Sequence, residues 1–201
     1  MAIGGRPSRW KAVGRWALGI VQTVLEAVVL FVIISLLVGR FEIHSVSMEP
    51  NLHEGQRVLV NKLDHLWPSW LVGSAEAADG RSVSPFAPHR GQVVVFYQTA
   101  DRSGTPLVKR VIGLPGETVT LRGGAVFVNG QMLDEPYVNG LRTSCNLYCS
   151  PVRLGPDEYF VMGDNRPNSR DSRSLGPVRA SQIVGQVIFR YWPLSQMKVY
   201  P

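Results

Sequence analysis

The sequence predicts a mainly β protein, an antiparallel barrel-like β domain preceded by one N-terminal transmembrane helix. Three observations lead there. A run of 22 residues, Ala17 to Val38, is apolar at 17 positions. Behind it, short segments rich in Val, Ile, Phe and Tyr follow one another with no long amphipathic pattern between them, as strands do and helices do not. The 20 Gly and 14 Pro of the chain supply the reversals such strands need and argue against a helix bundle.

The 201 residues suffice for one domain of roughly 150 residues plus an appendage. A hydrophobic content of 45% excludes a disordered chain. Two cysteines are too few for a disulfide framework.

From the N-terminus, residues 1–16 form a basic arm, with Arg6, Arg9, Lys11 and Arg15 and no acid. Residues 17–39 read as the anchor. A helix from Ala17 to Val38 is about 33 Å long, enough to cross a hydrocarbon core of about 30 Å. A buried core helix is the competing reading, but it would normally show a polar stripe over this length. Glu26 is the one charge in the span and needs a polar neighbour or water at that depth. Cleaved leaders have an apolar core of roughly 7–15 residues and a small-x-small site. Here the apolar run is longer and is followed by Gly39-Arg40-Phe41-Glu42-Ile43, so an uncleaved single-pass anchor is expected. The basic arm keeps the N-terminus in the cytoplasm by the positive-inside rule, which places residues 40–201 on the far side of the plasma membrane.

In that domain, strands are expected over 57–60, 92–97, 107–112, 118–121, 125–129, 159–162 and 183–192. Gly123-Gly124 and Asn129-Gly130 suit tight hairpin turns, and Leu114-Pro115-Gly116 is another stop. Residues 64–91 read as a loop insertion. Its first part holds Trp67 and Trp70, which suit either a membrane interface or packing under their own loop. Residues 39–201 carry 17 basic and 14 acidic side chains with no basic cluster, so no nucleic-acid partner is expected.

His44, His53, His65 and His89 show no paired metal-ligand spacing, and no metal site is expected. Cys145 and Cys149 lie in a loop on the oxidising side of this topology, where a disulfide is permitted.

Four segments concentrate chemistry. Phe41 to Leu52 contains Ser45 and Ser47, and Ser47 stands nine residues past the span, within about 30 Å of it. Serine is common in loops, and no Gly-x-Ser-x-Gly elbow is present. Gly55 to Leu63 holds a strand. In Leu107 to Glu117, Lys109 interrupts an apolar strand and shares a face with Leu107 and Val111. Such a lysine either snorkels to water or a carboxylate, or is buried for a reason. Met162 to Gly176 is dense in charge, and suits either a solvated loop or an ion-pair network.

Together these segments resemble the type I signal peptidases, the membrane-bound serine proteases that remove signal peptides. Ser-x-Ser-Met-x-Pro-x-Leu, Gly-x-x-x-Leu-Val-x-Lys, Lys-Arg-Val-Ile-Gly-Leu-Pro-Gly and Gly-Asp-Asn-Arg-x-x-Ser-x-Asp-Ser-Arg occur in the family's order. The resemblance runs from the anchor to about Trp192. Lys109, in place of His, is similar to the bacterial branch. The 64–91 insertion and Pro167 match no family rule.

The resemblance implies Ser47 as nucleophile, Lys109 as general base, Ser169 as the serine orienting the lysine, and Ser45 with the Ser47 N–H as oxyanion hole. It implies Asp164, Arg166, Asp171 and Arg173 as supports of the loop carrying Ser169. Phe41, Ile43, Met48 and Val108 would wall shallow pockets for small side chains. No cofactor is implied. The implied partners are signal peptides of exported preproteins and the lipid bilayer, near the secretion translocon. Physically, a lysine base must lose its proton near neutrality, and burial among apolar groups disfavours the ammonium. Two other readings remain open at this point, a membrane-anchored binding or scaffold domain that has lost catalysis, and a different Ser/Lys protease of the self-cleaving repressor type.

Overall fold

The computed structural model describes residues 9–62, 75–76, 82–83, 87–145, 147 and 150–200. It divides into two compact units, one ending at Leu37 and one beginning at Val38.

The first unit is a single helix, α1 (Arg9–Leu37). Within it, Leu18–Leu37 is a stretch of 20 residues long and apolar enough to cross a membrane, with none of it buried by protein. Leu18 is 70% exposed and Phe31 65%. A core helix normally buries such side chains. Gln22 donates to Glu26 across one turn at 2.9 Å, giving the carboxylate its polar neighbour. The helix stops short of the expected anchor end at 39. Val38 pairs with Asn61 and Gly39 with Val60, because the valine that prolongs the apolar run also begins a strand.

Among the described residues the second unit holds fourteen strands: β1 (Val38–Glu42), β2 (Arg57–Asn61), β3 (Ala75–Glu76), β4 (Ser82–Val83), β5 (Val93–Phe96), β6 (Leu107–Gly113), β7 (Thr118–Arg122), β8 (Ala125–Val128), β9 (Gln131–Met132), β10 (Val152–Arg153), β11 (Glu158–Met162), β12 (Val178–Arg179), β13 (Ile183–Trp192) and β14 (Lys198–Val199). Every pairing is antiparallel. The main sheet runs β1-β2-β13-β5-β6-β11-β12, with β14 beside β13, and curls as a half-barrel. A smaller sheet runs β10-β7-β8-β9, and β3 pairs with β4.

All seven expected strands are present, and the two expected two-residue turns close β7–β8 and β8–β9. The strands that were not expected are β1 and six two-residue segments, which are too short to show a period. Trp67 and Trp70 lie outside the described residues. Gly91, at the end of the expected insertion, already donates to Val111 O at 2.8 Å and so leads into β5.

The burial pattern explains the sequence pattern. Strand β5, Val-Val-Val-Phe, is buried at all four positions. Val93 and Val95 pack with Ile43, Met48, Leu52 and Val60, whereas Val94 and Phe96 pack with Val111, Tyr159 and Val161. A strand covered on both faces needs no polar alternation. A third cluster joins Ile112, Phe160 and Met162 to Val119, Leu121 and Val126 of the smaller sheet. Each such side chain contributes about 1.5–3 kcal/mol on burial.

Strand β13 pairs with β5 through a register shift beside Gly185, and with β2 from Gln186 opposite Asn61. A Cβ at Gly185 would fall 1.8 Å from the Asn61 carbonyl oxygen, and backbone in a paired strand cannot withdraw. Gly185→Ala is therefore expected to cost about 2–3 kcal/mol or more, lowering the thermal midpoint by roughly 4–12 °C in a domain of this size. Thermal unfolding of the detergent-solubilised chain checks this.

Candidate active site

Ser47 sits in a 3-10 turn, Val46–Met48. The turn is closed by Glu49 N–H donating to Val46 O at 3.2 Å, and Asn51 and Leu52 both donate to Met48 O. Met48 and Leu52 are fully buried and fasten the turn to the core, leaving Ser47 5% exposed. Ser45 Oγ lies 3.1 Å from Ser47 Oγ.

Lys109 is the third residue of β6 and is 2% exposed. Its Nζ lies 2.6 Å from Ser47 Oγ and donates to Val108 O at 2.9 Å. Burial drives the lysine pKa from 10.5 down to about 8, with Arg173 adding to the shift and Asp171 and Asp164 opposing it. The lysine is thus the buried kind and not the snorkelling kind.

The loop after β11 presses against the Ser47 turn. Asn165 N–H donates to Ser47 O at 3.0 Å, and Asn165 Nδ2 donates to Val46 O at 3.1 Å. At Gly163 a Cβ would meet Ser47 O at 2.5 Å and Ser169 Oγ at 2.2 Å. Only glycine permits that approach.

Asp164, Arg166, Asp171 and Arg173 of this loop are buried in an ion-pair network, whereas Arg170 is exposed. Asp171 and Arg173 are both 0% exposed and pair at 2.8 Å. Asp171 also accepts from Gly163 N–H at 2.9 Å and from Ser169 Oγ at 2.7 Å. Burial alone would raise the Asp171 pKa, but the Arg173 hydrogen bonds and charge hold it below the usual carboxylate value. Arg173 further donates to the carbonyls of Arg166, Ser169 and Ser144.

Asp164 and Arg166 are also buried but pair with residues outside the loop. Asp164 receives a two-pronged pair from Arg110, at 2.8 and 2.6 Å, and a hydrogen bond from Asn51 at 2.8 Å. Arg166 pairs with Glu135 and donates to Thr143. Buried ion pairs are tolerated only when fully hydrogen-bonded, and among the described residues no buried side-chain polar atom lacks a partner.

The Ser169 proton goes to Asp171, and Lys109 Nζ bonds to Ser47 and Val108. A hydroxyl has one proton to donate, so any role of Ser169 toward the lysine here passes through its acceptor lone pairs or through the loop. Of the four expected pocket walls, Ile43 and Met48 are fully buried in the core, and Phe41 and Val108 are half-buried at its margin.

The sequence reading missed Arg110, Asn51, Asn165, Glu135, Thr143 and Tyr137. Arg110 had a signal, since it is a second charge inside an apolar strand, and its guanidinium stacks 4.2 Å above the Tyr137 ring. Glu135 and Thr143 lie in loop sequence with no pattern to mark them. Cys145 is disulfide-bonded; Cys149 lies outside the described residues. Among the described residues no three His, Cys, Asp or Glu gather as a metal site.

Among the described residues, one stretch of sheet edge beside this site has no strand paired to it. Strand β5 pairs with β6 over Leu107–Arg110, while β11 pairs with β6 only from Arg110 onward. Val111 exchanges hydrogen bonds with Gly91 and Gln92 on the β5 side. By alternation the N–H and C=O of Val108 face this edge, where the C=O already accepts from Lys109 Nζ. A hydroxyl in contact with a buried amine, beside an edge able to hold an extended chain, is equipped for acyl transfer from a peptide.

Comparison with known proteins agrees. The family described as "Signal peptidase, peptidase S26" matches residues 14–192. Signal peptidase IB of Staphylococcus aureus is 33% identical over 194 residues, covering 89% of this chain and 91% of its own. Signal peptidase I of Leptolyngbya laminosa is 35% identical over 162 residues, covering 77% of this chain and 69% of its own. A solved signal peptidase I from Enterococcus faecalis V583 is 33% identical, with a TM-score of 0.43 over 50% of this chain and 97% of that one. The chain belongs to the signal peptidase family, peptidase S26, and is a serine peptidase.

Proposed function

We propose that this chain is a membrane-anchored endopeptidase that removes N-terminal signal peptides from exported preproteins after a small-x-small motif. Ser47 is the nucleophile and Lys109 the general base. The observation that carries this reading is the 2.6 Å contact between the Ser47 hydroxyl and a lysine amine that is 2% exposed.

Burial gives the lysine a substantial neutral fraction near pH 8, so its lone pair accepts the Ser47 proton as Oγ attacks the scissile carbonyl. The Ser47 N–H and the Ser45 hydroxyl, 3.1 Å from Ser47 Oγ, stabilise the oxyanion. One such donor is worth about 3–4 kcal/mol in a comparable protease. The Lys109 ammonium then protonates the leaving amine, and the neutral amine activates the water that hydrolyses the acyl-enzyme. Asp171 and Arg173 hold the loop of Ser169 and Gly163 against the Ser47 turn; Asp164 and Arg166 tie that loop to β6 and to the segment around Glu135.

The substrate lies as a strand along the open edge at Leu107–Lys109. Its residues one and three before the cut point to one side and meet walls that include Phe41 and Val108, with Ile43 and Met48 as the packed floor. Shallow space there favours small side chains. Leu18–Leu37 anchors the chain as a single pass, with the basic arm cytoplasmic and the β domain outside, near the lipid surface and the translocon that delivers preproteins.

Ser47→Ala and Lys109→Ala are each expected to lower cleavage of an Ala-x-Ala preprotein in detergent by at least about 10³-fold, read by gel shift and product sequencing. Retained cleavage in both variants would remove the dyad from the mechanism. The profile of kcat/KM against pH is expected to rise through an apparent pKa of about 8 and level off above it, since the neutral amine is the active form.

The same burial sets a stability cost. With a folded pKa near 8 against an ordinary 10.5, the folded state releases its lysine proton first, so stability rises between pH 8 and 10.5, by about 3 kcal/mol in all. Below pH 8 this increment is absent. Lys109→Met is accordingly expected to be inactive yet more thermostable than wild type at pH 7, with the difference narrowing as pH rises toward 10.5.

A further inference from the structure

We infer that Asn51 is a positioning residue of this site, a carboxamide clamp that sets the distance between the Ser47 turn and the β6 strand carrying Lys109. The inference rests on the Ser47/Lys109 reading above and adds a residue to it.

Asn51 stands four residues after Ser47, and its N–H donates to Met48 O at 3.0 Å, so it moves with the nucleophile turn. Its Nδ2 donates twice, to Asp164 Oδ2 at 2.8 Å and to Tyr137 O at 2.8 Å. Both partners are pure acceptors, which fixes the amide orientation without ambiguity. Asp164 is fully buried and is gripped by Arg110 on the same strand as Lys109, and the Arg110 guanidinium lies over the Tyr137 ring. Asn51 thus bonds to two groups that Arg110 also contacts, one of them a carboxylate and the other a ring-bearing residue of a separate segment. The chain Asn51–Asp164–Arg110 links nucleophile turn to base strand through hydrogen bonds alone.

Two features separate this role from general stability. Arg190 Nη1 and Tyr200 Oη donate to the Asn51 backbone oxygen, at 3.0 and 3.2 Å, and those bonds survive any change of side chain. Asn51 also stands at an unspecified position of the Ser-x-Ser-Met-x-Pro-x-Leu pattern, so the pattern itself does not call for its carboxamide.

The test uses Asn51→Leu, similar in size with no donor, and Asn51→Asp, which faces two acceptors with a third. Each variant is assayed in the full-length chain in detergent, per active site titrated with a serine-acylating inhibitor. A misplacement of about 1 Å costs on the order of 10²-fold in rate. Asn51→Leu is expected to lose roughly that factor in kcat with KM within about twofold, since the open β6 edge is untouched. The groups around Lys109 are Asp164, Asp171 and Arg173, with Arg110 beside it in sequence. Asn51→Asp adds an anion to this set and is expected to move the kcat/KM profile to higher pH than wild type, while Asn51→Gln restores part of the rate. Unchanged kcat per titrated site in Asn51→Leu, or loss with equal kcat/KM profiles in all variants, would overturn the inference. If wild type itself shows no rise near pH 8, or Ser47→Ala still cleaves, the underlying dyad fails instead.

Discussion

A lysine amine, almost wholly buried, touches a serine hydroxyl at 2.6 Å, and the rest of the domain is arranged around the cost of keeping it there. An ammonium out of water is unfavourable unless it is neutralised or loses its proton. Two carboxylates lie close enough to favour the charged form, Asp171 and Asp164. Each is matched by its own arginine, Arg173 and Arg110. With their charge already partnered, they hold the protein together at the site without restoring the lysine to its ordinary pKa. Burial therefore remains the dominant influence on the amine.

This arrangement needs a sheet that is covered on both faces. Strand β5 provides it, with Val93 and Val95 turned to one cluster and Val94 and Phe96 to the other. Lys109 pairs with Val94 on that strand, deep enough to be dry and one residue from where β6 is released by β11. The same end of β6 thus gives the amine its low-dielectric surroundings and, among the described residues, has no strand paired along its other edge. A lysine nearer the strand's far end would be enclosed by β11 and have no such edge beside it.

Much of this was legible in the residues. The apolar span, the hairpin turns and the long strands show in hydrophobic period and turn chemistry, which are local properties. Lys109 announced itself by interrupting an apolar strand. The two-residue strands were not legible, because pairing partners far along the chain define them. Nor were the partners of Asp164 and Arg166. Spacing within the loop suited solvent and ion pairing equally; Asp171 and Arg173 pair there, while Asp164 reaches Arg110, 54 residues away, and Arg166 reaches Glu135, 31 residues away. Ser169 shows the same limit, for its hydroxyl proton is taken by Asp171, a neighbour two residues on whose orientation depends on Arg173.

The sequence by itself determined that an apolar helix precedes a β domain, and which residue types stand ready for acyl transfer. Those facts follow from composition, periodicity and motif order, each written in consecutive residues. Tertiary structure alone decided that Ser47 and Lys109, 62 residues apart, meet within a hydrogen bond, that the lysine is dry, and that Asn51 and Arg110 converge on one buried carboxylate. The reason is physical: desolvation and hydrogen-bond geometry are properties of what surrounds a group in space, and distant segments supply those surroundings only once the sheet has closed over them.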